Sequence, residues 1–321
     1  MSGLRGGVDL GGTKIQAVVL GGKDEVLGEA RRATPTAGGP PAVADEIAAT
    51  LRAASEQAGI ETDSLTGAGV GSPGAVDAAA GTVRSARNLP DWEEAFALGP
   101  TLEAALGTRV VLGNDVQVAI EAEFALGAGR DSSSLLGVFW GTGVGGGLVL
   151  DGSPWLGRGA AGEIGHMVVK QGGARCPCGR RGCLEAYAGR GAMEARARRL
   201  ADRGEQTDLF RIMEKRERTR LQSGIWARAL KREDPLAVKL IERAVKALGA
   251  GIASAVNLLD VETVVIGGGL GTRLGAPYAE RIERAMAPHL FVPERPPSVS
   301  VAALGDLGGA IGAALMARPQ A

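Results

Sequence analysis

All three cysteines fall within one eight-residue stretch, Cys176-Pro-Cys178-Gly-Arg-Arg-Gly-Cys183, and one of the two histidines, His166, stands ten residues before it. Thiolate sulfur and imidazole nitrogen are the ligands Zn²⁺ prefers, and a closed Cys3His set leaves no coordination position open to water. The spacing therefore predicts one structural zinc ion held by His166, Cys176, Cys178 and Cys183. The plainer alternative is a thiol-rich loop without metal. Two carboxylates adjoin the cluster, Glu163 three residues before His166 and Glu185 two after Cys183. A shared metal would draw them together. Carboxylates accept hydrogen bonds, which suits the hydroxyls of a neutral polyol. Asn88, in Asn88-Leu89-Pro90-Asp91-Trp92, adds an amide that both donates and accepts. Taken singly, each of these residues also reads as an ordinary loop hydrogen bond. His289, between Pro288 and Leu290, has no chemical partner in the pattern and reads as structural.

A second set of residues suits phosphate. Gly11-Gly12-Thr13-Lys14 is a glycine turn whose backbone N–H groups can approach an anion with no Cβ in the way, with a hydroxyl and a cation added. Asp9, at the end of the preceding strand, could hold Mg²⁺ directly or through water. An ordinary hairpin with a solvated lysine is the rival reading. A second turn, Gly141-Thr142-Gly143, favours phosphate, because a transferred phosphoryl needs donors on more than one side. Two stretches, Gly141 to Gly146 and Gly69 to Gly74, match G-x-G-x-x-G formally. That fingerprint requires a helix directly after the glycines, and here β-prone Leu148-Val149-Leu150 and Ala75-Val76 follow. Dinucleotide binding is therefore not expected, and there is no Walker A sequence. Asp115, after a strand and before a helix, reads either as an N-cap or as a general base taking a proton from a substrate hydroxyl.

The elements that must position these groups alternate between strand and helix, which makes the class α/β. Strands are expected at 7–10, 15–20, 68–76, 110–112 and 261–266, and a strand–glycine–strand unit at 135–150. Helices are expected at 42–58, ending at Gly59, at 116–126, through the charge-rich 190–234, at 235–259 and at 308–316. The strand–turn–strand unit occurs twice, around Asp9 to Lys14 and around Gly141 to Gly147.

The 321 residues suit two domains, placed at 1–115, completed by a C-terminal helix at about 304–321, and at 116–303 with the zinc motif. The chain is 45% hydrophobic and 22% charged, an ordinary globular balance. With 36 basic and 36 acidic residues, it offers no electrostatic case for nucleic acid or an anionic membrane as main partner. An odd cysteine count argues against a disulfide framework and for a reducing, cytoplasmic setting. Met1 to Gly12 has no apolar leader core. The longest charge-free run, Ser132 to Leu150, is broken by six glycines and reads as two strands rather than a membrane span.

Together these motifs resemble the ROK family of sugar kinases and sugar-responsive repressors. The resemblance runs nearly end to end: Asp9 to Lys14, Gly71-Ser72-Pro73-Gly74, Asn88-Leu89, Asn114-Asp115, Gly141 to Gly147, Glu163-Ile164-Gly165-His166, and Cys176-Pro-Cys178-Gly-x-x-Gly-Cys183-Leu184-Glu185. It departs at Val116-Gln117, where the family more often has small residues. It implies an actin-like ATPase (ribonuclease H-like) fold, two α/β domains flanking a cleft. Asp115 would then be the base acting on a sugar 6-hydroxyl. Gly74, Asn88, Asn114, Asp115, Glu163, His166 and Glu185 would bind sugar, with His166 serving both zinc and sugar. Asp9, Gly11, Gly12, Thr13, Lys14, Thr142, Gly143 and Gly268 would hold ATP and Mg²⁺, Gly268 lying by the adenosine.

The activity so implied is ATP-dependent phosphorylation of a hexose, glucose first. Mannose, fructose, allose, N-acetylglucosamine and N-acetylmannosamine are the alternatives, with polyphosphate a possible donor and a homodimer or homotetramer the expected assembly. The rival from another class is a sugar-sensing repressor. It is disfavoured because only eight residues precede Asp9, too few for a helix-turn-helix domain.

Overall fold

The computed structural model describes residues 3–86 and 88–318. The chain divides into two compact α/β units, Met1–Gly127 with Leu304–Ala321, and Ala128–Ala303.

The first unit is built on strands β1 (Arg5–Leu10), β2 (Lys14–Leu20), β3 (Val26–Ala33), β4 (Gly67–Ser72) and β7 (Val110–Asn114), in sheet order β3-β2-β1-β4-β7. β1, β2 and β3 pair antiparallel, whereas β1, β4 and β7 run parallel. β1, β2 and β4 are buried along almost their whole length because helices cover both sheet faces. Edge strand β3 is mostly exposed and carries Glu29, Arg31 and Arg32, charges that discourage pairing with another chain. Helix α1 (Gly39–Gln57) covers one face. Pro40 and Pro41 start it, and Val43, Ile47, Leu51 and Ala54 recur at helical spacing on its buried side. Helices α3 (Asp115–Leu126) and α11 (Gly308–Met316) cover the other. There α11 lies so close that a Cβ on Gly69 would collide with the carbonyl of Ala313. A short hairpin of β5 (Ala75–Asp77) and β6 (Thr82–Arg84) and helix α2 (Leu98–Leu106) complete the unit.

The second unit repeats the plan. Strands β8 (Leu135–Trp140), β9 (Val144–Leu150), β10 (Ser153–Pro154), β11 (Thr263–Gly267) and β12 (Ser298–Val301) form a sheet of order β10-β9-β8-β11-β12. Again the first three strands are antiparallel and β8, β11 and β12 are parallel. Its helices are α4 (Glu185–Ala188), α5 (Arg190–Ala201), α6 (Leu209–Glu214), α7 (Ser223–Lys231), α8 (Pro235–Leu259), α9 (Gly268–Leu274) and α10 (Ala276–Met286). α8 is capped by Asp234, which accepts from the Ala237 N–H at 2.8 Å.

Three differences from the sequence reading are physical. The strand expected at 68–76 ends at Ser72, because Gly74 turns the chain at φ 92° before β5. The first unit extends through Gly127 rather than 115, because α3 packs against α11 within it. The glycines after β11 begin a helix, α9, that is not among the expected elements. Among the described residues no helix is long and apolar enough to cross a membrane.

Candidate active site and metal centre

The cysteine stretch folds back as a tight knuckle in the second unit. The Gly179 N–H donates to the Cys176 carbonyl at 3.0 Å and the Cys176 N–H to the Arg180 carbonyl at 2.8 Å. The turn brings Cys176, Cys178 and Cys183 together, and the short helical turn Ile164–His166 delivers the imidazole. The four donor atoms all lie within 4.8 Å of one another. The Cys178 and Cys183 sulfurs stand 3.8 Å apart, and the Cys176 sulfur is 3.9 Å from His166 Nδ1. A tetrahedral ion with sulfur at ~2.3 Å has sulfur–sulfur edges of about 3.8 Å, so donor set and spacing both fit a metal. Burial pushes the Cys176 thiol up to about 12 and raises Cys183 as well, whereas a hydrogen bond from the Arg180 backbone holds Cys178 below the ordinary thiol value. Metal binding at such a site must release thiol protons.

The flanking carboxylates adjoin this knuckle by different atoms. Glu163 Oε2 is 3.9 Å from His166 Nε2, the ring nitrogen that does not face the cysteines. Glu185, at the start of α4, has Oε1 3.8 Å from the Cys176 sulfur, while its Oε2 accepts the Val144 N–H at 3.0 Å. Glu185 thus ties the knuckle to the second glycine turn. The approach explains Gly143, since a Cβ there would collide with the Glu185 carboxylate. Within the turn, Thr142 is exposed. Gly268, at φ 76°, lies against the backbone of Trp140, where any Cβ would be 2.8 Å from the Trp140 nitrogen and oxygen.

The remaining expected residues gather in the first unit. Gly11 to Lys14 close the β1–β2 hairpin, with the Gly11 N–H donating to the Lys14 carbonyl at 2.9 Å, and Thr34 Oγ1 donating to the Gly11 carbonyl at 2.6 Å. Thr13 at its tip is exposed. Asn88 packs on this turn, its carbonyl oxygen 2.9 Å and its amide nitrogen 3.0 Å from where a Gly12 Cβ would sit. Asn114 is the N-cap of α3, its Oδ1 accepting from the Val116 and Gln117 N–H groups at 3.1 and 3.2 Å. The capping role that Asp115 could have filled therefore belongs to its neighbour. Asp115 is the first helical residue, half-buried, and accepts from the Val116 N–H at 2.9 Å. Gly74 shapes the bend from β4 to β5.

Asp9 is the most perturbed carboxylate. Burial, then the charge of Asp115, lifts its carboxyl to about 6, opposed by Lys14 and reinforced by Asp306. Gly309, in the first turn of α11, sits against it. Lys14 is not solvated alone, because its ammonium pairs with Asp306 at 3.1 Å. Asp306 escaped the sequence reading, sitting in the turn-like Leu304-Gly305-Asp306-Leu307-Gly308. Arg190 escaped it too, being one basic residue among 36. Its position directly after Gly189 at a helix start was the available signal.

The ROK family model matches residues 5–320. A glucokinase from Thermotoga maritima is 33% identical over 283 residues, 86% of this chain and 86% of its own length. A glucokinase from Streptomyces coelicolor is 31% identical over 321 residues, 98% of each chain. The crystal structure of a ROK family glucokinase from Streptomyces griseus, in complex with glucose and AMPPNP, has a TM-score of 0.82 and 31% identity, covering 98% of this chain and 99% of that one. The two sheets of identical strand order are the repeated halves of the actin-like ATPase fold. With the family model matching nearly the whole chain and both glucokinase relatives above 30% identity, the chain belongs to the ROK family.

Proposed function

We propose that this chain is an ATP-dependent hexose kinase that transfers the γ-phosphoryl group of ATP to the 6-hydroxyl of glucose. The observation that carries the reading is the carboxylate pair Asp9 and Asp115 in the unit that bears the first glycine turn. The similarity to glucokinases, one of them solved with glucose and AMPPNP, supports sugar and nucleotide as the substrates.

In this mechanism Asp115 accepts the proton of the attacking hydroxyl, a role worth roughly 10²–10⁴-fold. Asn114, by capping α3, fixes the backbone from which Asp115 projects. The N–H groups and hydroxyl of Gly11 to Thr13, with Lys14, would bind phosphate oxygens, and Thr142 and Gly143 are further phosphate donors. Asp9 would hold Mg²⁺. An oxygen donor whose protonation burial favours is a setting a hard divalent cation would reverse. Mg²⁺, when bound, neutralises charge on the phosphoryl oxygens. Gly268, packed against the Trp140 backbone, would lie by the adenosine.

His166, Cys176, Cys178 and Cys183 would hold one Zn²⁺. With four protein ligands its contribution is structural. A metal held there would fix His166, whose second nitrogen faces Glu163, and its neighbour Glu185, groups that could accept from or donate to sugar hydroxyls. A coupled assay over a panel of hexoses, with ATP and polyphosphate as donors, tests the reading. Glucose with ATP should give the highest kcat/KM, and absence of turnover on every hexose would refute it.

A further inference from the structure

We propose that Arg190 is a nucleotide phosphate-binding residue that works through the hydroxyls of Thr142 and Ser223. The proposal rests on the ATP-dependent kinase reading above. Arg190 opens α5 immediately after the second glycine turn's partner segment. Its backbone N–H donates to the Gly141 carbonyl at 3.1 Å, and the next N–H, of Gly191, to the Thr142 carbonyl at 2.9 Å. Its guanidinium then reaches back over the same turn, one nitrogen donating to Thr142 Oγ1 at 2.8 Å and the other to Ser223 Oγ at 2.9 Å.

Three features make this more than a brace. First, the guanidinium touches no carboxylate. No described carboxylate lies within 4.0 Å of the Arg190 guanidinium, and Glu194, the neighbouring acid, is engaged by Arg198 at 2.8 Å and by Arg220 at 3.1 Å. Glu194 is thus already held by two other guanidiniums, and Glu185, the carboxylate on the turn itself, accepts from Val144. Burial disfavours the charged form of Arg190; the charge of Glu194 offsets part of that, and the nearby Arg220 adds to it. A half-buried cation hydrogen-bonded only to neutral hydroxyls is costly unless an anion arrives.

Second, the hydrogen bonds are polarised. Arginine has no acceptor, so both hydroxyls must accept from it. Each hydroxyl has one proton, which is then left to donate elsewhere. Thr142 is exposed and Ser223 half-buried, so those protons and the unused guanidinium N–H groups remain for a ligand. Such a donor array matches phosphate oxygens.

Third, the array joins two parts of the nucleotide site. Ser223 Oγ lies 3.5 Å from where a Gly269 Cβ would sit, next to Gly268, and the backbone N–H of Gly269 is 3.9 Å from the corresponding point on Gly141. One guanidinium therefore ties the second glycine turn to the glycine run proposed to lie by the adenosine.

The experiment is calorimetric titration of the zinc-loaded full chain with adenosine, AMP, ADP and AMPPNP, and separately with glucose. Arg190→Gln should weaken ADP and AMPPNP by about 10–100-fold, the loss of one or two charge-assisted hydrogen bonds. Adenosine and glucose affinities should stay within about twofold. An equal loss for adenosine and ADP would reduce Arg190 to a structural brace and overturn the proposal, as would no loss at all. Should Arg190→Gln fail to fold by circular dichroism, Arg190→Lys serves. It keeps the charge but not the fork, so ADP affinity should fall by at least about threefold with adenosine unchanged, and unchanged ADP affinity would overturn the proposal. If the unsubstituted chain bound no adenine nucleotide, the kinase reading would fall with it. Nucleotide binding that is indifferent to Arg190 would sink this proposal alone.

Discussion

Asp9 allows a quantitative test, because its environment in the free protein opposes the charge its proposed task requires. Its carboxyl is lifted from 3.8 to about 6, first by burial and then by Asp115. A carboxyl held that far above its ordinary value penalises the ionised form by about 3 kcal/mol. The native state binds the proton more tightly than the unfolded chain does. The two states are therefore equally protonated below about pH 3.5, and stability falls as pH rises through the interval from about 4 to 6. Above that both are ionised and the full penalty is present. Replacing Asp9 with asparagine keeps the shape and removes the charge. Asp9→Asn should leave stability nearly unchanged at pH 4 and raise it by up to about 3 kcal/mol at pH 7.5 in Mg²⁺-free buffer, while abolishing turnover. Urea denaturation at both pH values measures this, without chelators, which would strip zinc. Adding Mg²⁺ with nucleotide should stabilise the unsubstituted protein and not the variant. A variant no more stable at pH 7.5, or a difference independent of pH, would refute the account of Asp9 as a buried, repelled carboxylate.

Asp115→Asn should cut kcat by roughly 10²–10⁴-fold with little change in glucose affinity, and substantial residual turnover would remove Asp115 as the base. Metal analysis should find about one zinc per chain. Cys183→Ser should lose it and weaken glucose binding as well as thermal stability, whereas retained sugar affinity in the metal-free variant would detach the knuckle from the sugar site. Gly69→Ala places a Cβ against the Ala313 carbonyl and should destabilise the first unit by about 1–3 kcal/mol, read as a lowered Tm. A neutral result would mean that α11 can retreat freely.

Much of the site was legible because its chemistry uses rare residues at fixed spacing. Three cysteines and one histidine have few alternative uses, and the fold brings their donor atoms within 4.8 Å. The first glycine turn was legible because apolar strands flank it on both sides. What local pattern could not decide was settled by contacts between distant segments. Asn114 and Asp115 are both good caps, and only the backbone at the end of β7 selects Asn114. Helix α3 joins the first unit because it packs on α11, far along the chain. A glycine run has poor helix propensity, yet α9 begins at Gly268, where Trp140 leaves no room for a side chain and Leu270 is buried. Lys14 gains its partner Asp306 by the same return of the chain. Arg190 carries no local signal beyond its place after Gly189 at a helix start. Its significance lies in the hydroxyls it meets and the carboxylate it lacks.

The return of the chain to its first unit also governs how the protein is made. The β1–β4 sheet needs α11 on one face, and Val18 and Leu20 are buried against Ala310 and Ala314 there. Roughly 180 residues separate the two parts of that unit, a stretch that takes roughly ten to forty seconds to synthesise. During that interval an apolar sheet face, with glycines that cannot shield it, stands uncovered on the nascent chain. The second unit is continuous in sequence and can close while the first still waits. Synthesis thus runs in an order opposite to the reading of the chain, the unit begun first being the one finished last.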